Sequence, residues 1–151
     1  MKARPAVASS KIRWPEQPSR IHGSNENLEH SHVLAVRGAT TIDRDEAAEV
    51  RAATAELLAT IARKNSFDPS QIVSAIFTVT DDIRSEFPAR AARDLNWAAL
   101  PCLCALEIPV AHAPRLCIRV LLHVETKLPV SAVRHVYLRK ARSLRPDRRW
   151  D

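Results

Sequence analysis

Apolar residues along this chain alternate, run continuously or recur at helical spacing, and each pattern predicts a different element. Leu116-Cys117-Ile118-Arg119-Val120-Leu121-Leu122 is apolar on both faces, which predicts a central strand within Leu116–Val124. A second strand-like segment, Cys102–Val110, precedes it across a short Pro-containing link. Earlier, Val33-Leu34-Ala35-Val36 reads as a short strand running into Arg37-Gly38-Ala39-Thr40-Thr41. Val50, Ala53, Thr54, Leu57, Leu58 and Ile61 then fall on one stripe of a helix. Asp43 and Glu46 resemble a capping box at its start, with Arg63, Lys64 and Asn65 at its end.

After a Phe67-Asp68-Pro69-Ser70 turn, Gln71–Val79 predicts another strand. Strand, long helix, strand is a crossover unit, so the first two strands are expected to run parallel. Pro88 suits the first turn of a second helix, along which Arg90 and Arg93 share a side. Pro129–Val133 predicts a turn or short helix, and Arg134–Leu138 a last short strand. The pattern as a whole predicts an α+β fold, a mixed sheet with covering helices. Residues 1–31 show no sustained periodicity and contain three prolines, which predicts a flexible arm before a domain over 32–147 and a tail at 148–151.

Charge changes the picture less than its total suggests. The formal net charge is +6, but residues 32–138 carry twelve basic and twelve acidic side chains. The excess lies in the two ends, whereas a nucleic-acid groove needs basic residues clustered on the folded surface. No apolar run is long enough for a membrane span and no signal-peptide core follows Met1, so a cytoplasmic location is expected. Three cysteines, an odd number, argue against a disulfide framework. Cys102, Cys104, His112 and Cys117 match no common zinc spacing, and Asp81-Asp82 reads as a turn ahead of a magnesium site. No metal or cofactor is expected.

The remaining chemistry is cationic. Arg119 lies in a strand expected to be buried, and a guanidinium stays charged at any ordinary pH. Either Glu107 neutralises it in a structural pair, or an anionic ligand completes the site. Gly38, one of two glycines, suggests a backbone conformation or close approach that a side chain would block. It would leave Arg37 at a strand's carboxyl end, where such sheets tend to hold ligands. There is no nucleophile with a base and no phosphate-cradling glycine loop. Arg37, Arg90, Arg93 and Arg119 with Glu107 and Tyr137 suit a small dicarboxylate and a reaction without covalent attachment.

Five segments then align with a known pattern: Val36–Thr41, Phe87–Arg93, Cys104–Glu107, Cys117–Val120, and Arg134–Leu138 through Leu144–Asp147. Together they resemble the AroH-type monofunctional chorismate mutases over roughly residues 33–147. The resemblance implies a homotrimeric pseudo-α/β barrel with sites at subunit interfaces. It implies cofactor-free rearrangement of chorismate to prephenate on the route to phenylalanine and tyrosine. Arg119 would meet the ether oxygen, Arg37 and Tyr137 a carboxylate, and Glu107 the substrate hydroxyl, with Leu103 and Cys104 on the same wall. Phe87, Ala89, Arg90 and Arg93 would come from a neighbouring subunit, with Leu144 and Arg145 at the closing tail. Strand parity places Cys104 opposite Glu107, so its backbone is the alternative contact. Arg90 stands where lysine is common, and Asn96 where glycine is frequent. The rival readings are a YjgF-type imine deaminase and a non-catalytic trimer that binds an anionic metabolite.

Overall fold

The computed structural model describes residues 30–97 and 100–147. The expected arm lies almost wholly outside these residues, as does the tail at 148–151. The strands are β1 (His32–Thr41), β2 (Ile72–Val79), β3 (Cys102–Leu106), β4 (Cys117–Thr126) and β5 (Val136–Tyr137), and the α-helices are α1 (Ala47–Asn65) and α2 (Arg90–Asp94). The sheet order is β3-β2-β4-β1-β5. β4 runs antiparallel to both β1 and β2, while the outer pairs β1–β5 and β2–β3 are parallel. The first two strands therefore do point the same way, but with β4 between them.

The apolar run at Leu116–Leu122 becomes the central strand because both its edges are paired and one face is fully covered. Ile118, Val120, Leu122 and Val124 are buried, whereas Arg119, Leu121 and His123 on the other parity are only half-buried. The covered face meets the apolar stripe of α1, which buries Val50, Ala53, Leu57, Leu58 and Ile61. Each such Leu or Ile contributes roughly 1.5–3 kcal/mol of transfer free energy. α2 adds Ala91 and Ala92 to the buried set, and Ala92 belongs to the main core cluster with Phe77, Leu57 and Val120.

Several boundaries differ from expectation. β1 does not stop at Val36 but continues through Thr41, so Arg37 sits mid-strand rather than at an end. Gly38 is needed there for close approach, not for an unusual backbone. A Cβ on it would lie 2.5 Å from Ile61 Cδ1 and 3.1 Å from Leu57 Cδ1, and its φ is not positive. At the start of α1, Glu46 makes no side-chain cap, and Glu49 accepts the Asp43 backbone N–H instead at 2.7 Å. The left-handed residue ending α1 is Ser66, while Asn65 clamps the approach to β5. Its side chain donates to the Arg134 carbonyl at 2.9 Å and accepts the Arg134 N–H at 2.8 Å. β3 is shorter than Cys102–Val110, ending at Leu106, and the turn at Asp82 is built from its own side chain. Asp82 accepts the Leu116 N–H at 3.0 Å and the Thr80 hydroxyl at 2.6 Å.

Candidate active site

The uncovered face of the sheet carries the polar residues that alternate with the core. Arg37 pairs in register with Leu121, Ala39 with Arg119, and Arg119 in turn with Thr78. Cross-strand partners on one face lie within reach of each other's side chains. They form a cleft of about 380 Å³ bordered by Arg37, Gly38, Ala39, Ile76, Thr78, Arg119, Val120, Leu121, Tyr137, Leu144 and Arg145.

The motif after Arg134 builds one end of this cleft. His135 Nδ1 accepts the Arg37 backbone N–H at 3.1 Å, and β5 then pairs Val136 with Gly38 and Tyr137 with Ala39. Next comes a 3₁₀ helix, Arg139–Leu144. Arg139 donates to the Thr41 carbonyl at 3.0 Å and pairs with Glu56 at 2.8 Å, which fixes the segment against β1 and α1. Leu144 and Arg145 are thereby placed over the cleft. Arg145 makes a two-bond fork with Asp147, 2.9 Å from Nε and 2.7 Å from Nη2. That pairing, with a hydrogen bond to Tyr137, raises the guanidinium pKa further above its already high value.

Arg119 approaches Glu107 most closely at 3.4 Å, Nε to Oε1. The distance satisfies an ion pair, yet Nε is buried without a hydrogen bond of acceptable geometry. The geometry is the more informative of the two observations, because a strong Arg–carboxylate pair is shorter and usually double. Arg119 is thus electrostatically balanced by Glu107 but not tied up by it. The Arg119 side chain is 37% exposed and that of Glu107 20%. A buried donor left unpaired is uncommon and marks a place where another acceptor belongs. Glu107 lies just past β3, its backbone N–H bonded to the Val79 carbonyl at 2.8 Å, and borders a neighbouring depression formed with the 108–115 loop. The Glu107 carboxylate also accepts a hydrogen bond from the Thr78 hydroxyl. Beneath Arg119 sits Cys117, whose thiol pKa is pushed up by burial, against an opposing hydrogen bond and charge from Arg119.

The expected residues divide into two groups. Arg37, Arg119, Tyr137, Leu144 and Arg145 border one cleft, and Glu107 joins them through Arg119. Phe87 and Cys104 instead border a separate cavity of about 290 Å³. Cys104 packs against the core cluster, so its side chain takes the helix-covered side, away from Arg119. Leu103 has the parity of Glu107 but stands 62% exposed on the edge strand. Ala89 packs against the core, Arg90 lies 4.0 Å from Glu86, and Arg93 is exposed. None of these four α2-region residues lines the Arg119 cleft of the same chain. Thr78 was missed from sequence. Its only signal was a polar residue at alternate spacing from Ser74 and Ile76 in β2. Among the described residues, no group of three or more His, Cys, Asp or Glu is placed to hold a metal ion. No helix among them is long and apolar enough to cross a membrane.

A mixed α+β sheet with an arginine-rich cleft on its open face defines a binder of small anions. The comparisons narrow this class to a family. The family model for type I chorismate mutases matches residues 33–148. The chorismate mutase AroH of Bacillus subtilis (strain 168) is 39% identical over 116 residues, which is 76% of this chain and 91% of that protein. The chorismate mutase AroH of Thermus thermophilus is 42% identical over 116 residues, covering 76% and 95% respectively. A solved chorismate mutase from Clostridium thermocellum superposes with a TM-score of 0.72 at 42% identity, over 73% of this chain and 98% of that one. The chain belongs to the type I chorismate mutase family. Its function is that of the family, an isomerase that converts chorismate to prephenate in aromatic amino acid biosynthesis.

Proposed function

We propose that the Arg119 cleft is where chorismate rearranges, and that Arg119 supplies the charge the transition state needs. The observation that carries this reading is the unbonded, buried Nε of Arg119 beside a carboxylate that balances it without capturing it. In the rearrangement the ether C–O bond breaks as a C–C bond forms within one molecule, and negative charge grows on the departing oxygen. A fixed guanidinium there stabilises the transition state more than the ground state. Arg37 and Tyr137 hold a carboxylate, and Glu107 accepts the substrate hydroxyl.

Magnitudes show that one cation is insufficient. A millionfold acceleration requires about 8 kcal/mol, and one well-placed donor supplies roughly 3–4 kcal/mol. The remainder comes from holding a flexible dicarboxylate in its compact, reactive shape, which is worth several kcal/mol more. Arg37, Tyr137 and the apolar walls from Ile76, Leu121 and Leu144 do that work.

The domain over 32–147 is read as a homotrimer closing into a pseudo-α/β barrel, with Phe87, Ala89, Arg90 and Arg93 of one subunit completing the neighbour's cleft. Leu103 and Cys104 complete the wall, Cys104 through its backbone. β3 supports this reading because it is an edge strand carrying uncovered apolar side chains. On β3 Leu103 is 62% and Leu106 69% exposed, with Ile108 just past its end at 81% and Phe87 at 71%, and an edge of this kind invites pairing with another copy. The reading places the enzyme in the cytoplasm with no cofactor, membrane or nucleic-acid partner.

The test is the loss of chorismate's diene absorbance on adding the purified protein. Mixing Arg119→Ala subunits with Arg90→Ala,Arg93→Ala subunits should then restore part of the activity that each lacks alone. An inactive wild type would refute the assignment, and no recovery despite demonstrated subunit exchange would refute shared sites.

A further inference from the structure

We infer that Thr78 is a positioning residue for the rearrangement, fixing the Glu107 carboxylate and through it the placement of the Arg119 guanidinium. The inference rests on the reading that Arg119 and Glu107 act on chorismate. Thr78 stands in β2 between Ala105 of β3 and Arg119 of β4, in register with both. Its neighbours Ala75 and Phe77 are buried, while Thr78 and Ile76 face the cleft. A fold requirement alone would be met by valine at this position, since a β-branched side chain suits a strand and the hydroxyl adds nothing to apolar packing.

Among the described residues the hydroxyl has one partner, Glu107 Oε1, which is also the oxygen nearest Arg119 Nε. Threonine is stiff at its first side-chain torsion, so the strand itself aims this donor. Glutamate has three torsions to fix, and among the described residues its backbone is held by the N–H to the Val79 carbonyl. The Thr78 bond therefore decides where the carboxylate sits. It occupies Oε1 and leaves Oε2 without a hydrogen bond among the described residues, as the acceptor for a substrate hydroxyl. Without that donor, the carboxylate is free to rotate onto Arg119 in the double, shorter geometry these groups prefer. The guanidinium would then be drawn from the place where the ether oxygen loses its bond.

The experiment compares wild type, Thr78→Val and Thr78→Ser in the intact protein with chorismate as substrate, reading kcat, KM and thermal midpoint. Thr78→Val should lose roughly 10- to 100-fold in kcat, with KM moving less than about threefold, as expected when a supporting contact is lost. Thr78→Ser should recover to within about threefold of wild type, because the hydroxyl matters and the methyl does not. In a Glu107→Gln background, Thr78→Val should cost less than about threefold more, since the residue it positions has already changed. Unchanged kcat in Thr78→Val would overturn the inference, as would equal impairment of the serine and valine variants. So would a raised KM at constant kcat, the signature of a plain ground-state contact. A wild type without mutase activity would overturn both readings, whereas an active wild type indifferent to Thr78→Val would overturn this one alone.

Discussion

The two faces of the central sheet are built from the same strands and differ in almost everything else. On the helix side, Val36, Phe77, Val120 and Leu122 pack dry against Leu57, Leu58 and Ile61. On the other side, one residue along, Arg37, Thr78 and Arg119 gather around a cleft. Successive side chains on a strand point to opposite faces, so a single chain segment can serve as core and as chemistry at once. The covered face makes the strands rigid, and that rigidity holds the cations where they are needed. A one-residue slip in register would exchange the two sets, burying Arg119 under α1 and exposing Val120.

The division can be broken most severely from the covered face. Phe77 is fully buried, and Phe77→Ala should cost about 3–5 kcal/mol of stability in urea unfolding. The kcat of the fraction that stays folded should change far less than its abundance. The complementary change on the open face is Arg119→Ala. It should lower kcat by about 10²- to 10³-fold, roughly 3–4 kcal/mol, while thermal melting stays near wild type. If the first variant were catalytically dead when folded, or the second unfolded, the separation of faces would be wrong.

Asn65→Ala offers a smaller perturbation at the join between the covered face and the segment that closes the cleft. It removes bonds to the Ile61 and Arg134 carbonyls and from the Arg134 N–H. A loss of about 2 kcal/mol is expected by chemical denaturation, with a higher KM if the approach to Tyr137 loosens. Equal stability of this variant would show that β5 is held by its ladder alone.

The smallest effect is electrostatic and lies at the Thr80–Asp82 turn. Burial acts to raise the Asp82 carboxyl pKa, but hydrogen bonds from Thr80, Leu116 and Arg115 outweigh it and hold the pKa below the usual carboxylate value. A depressed folded pKa adds stability that is complete above the unfolded value, about 3.9, and is lost as pH falls through the folded pKa. Wild type should therefore lose stability below about pH 4 more steeply than Asp82→Asn, which should be less stable at neutral pH. Parallel acid limbs for the two proteins would remove Asp82 from the account.

How far the sequence reached follows from the same contrast. The covered face was legible because apolar spacing reports burial directly, and α1 and the central strand β4 follow from it. The charge reading picked out Arg37, Arg119 and Tyr137, and the motif resemblance added Leu144 and Arg145; the fold brings these five to one cleft. Strand ends were less legible. Arg37-Gly38 reads as a terminus, yet ten paired residues carry β1 to Thr41, and Gly38 is small because α1 crosses above it. Thr78 was invisible, since a lone threonine between Phe77 and Val79 looks like a solvated gap until Glu107 is seen to reach it. Phe87, Ala89, Arg90 and Arg93 do not line the Arg119 cleft of one chain, and only the proposed trimer would bring them to it.

The most direct test of the central claim is a crystal structure of the protein with a bicyclic mimic of the rearranging molecule in the cleft. The account predicts an Arg119 guanidinium nitrogen within about 2.7–3.1 Å of the oxygen that stands for the breaking ether bond, the span of a working donor. Arg119 turned away from that oxygen and held by two short bonds to Glu107 would contradict it.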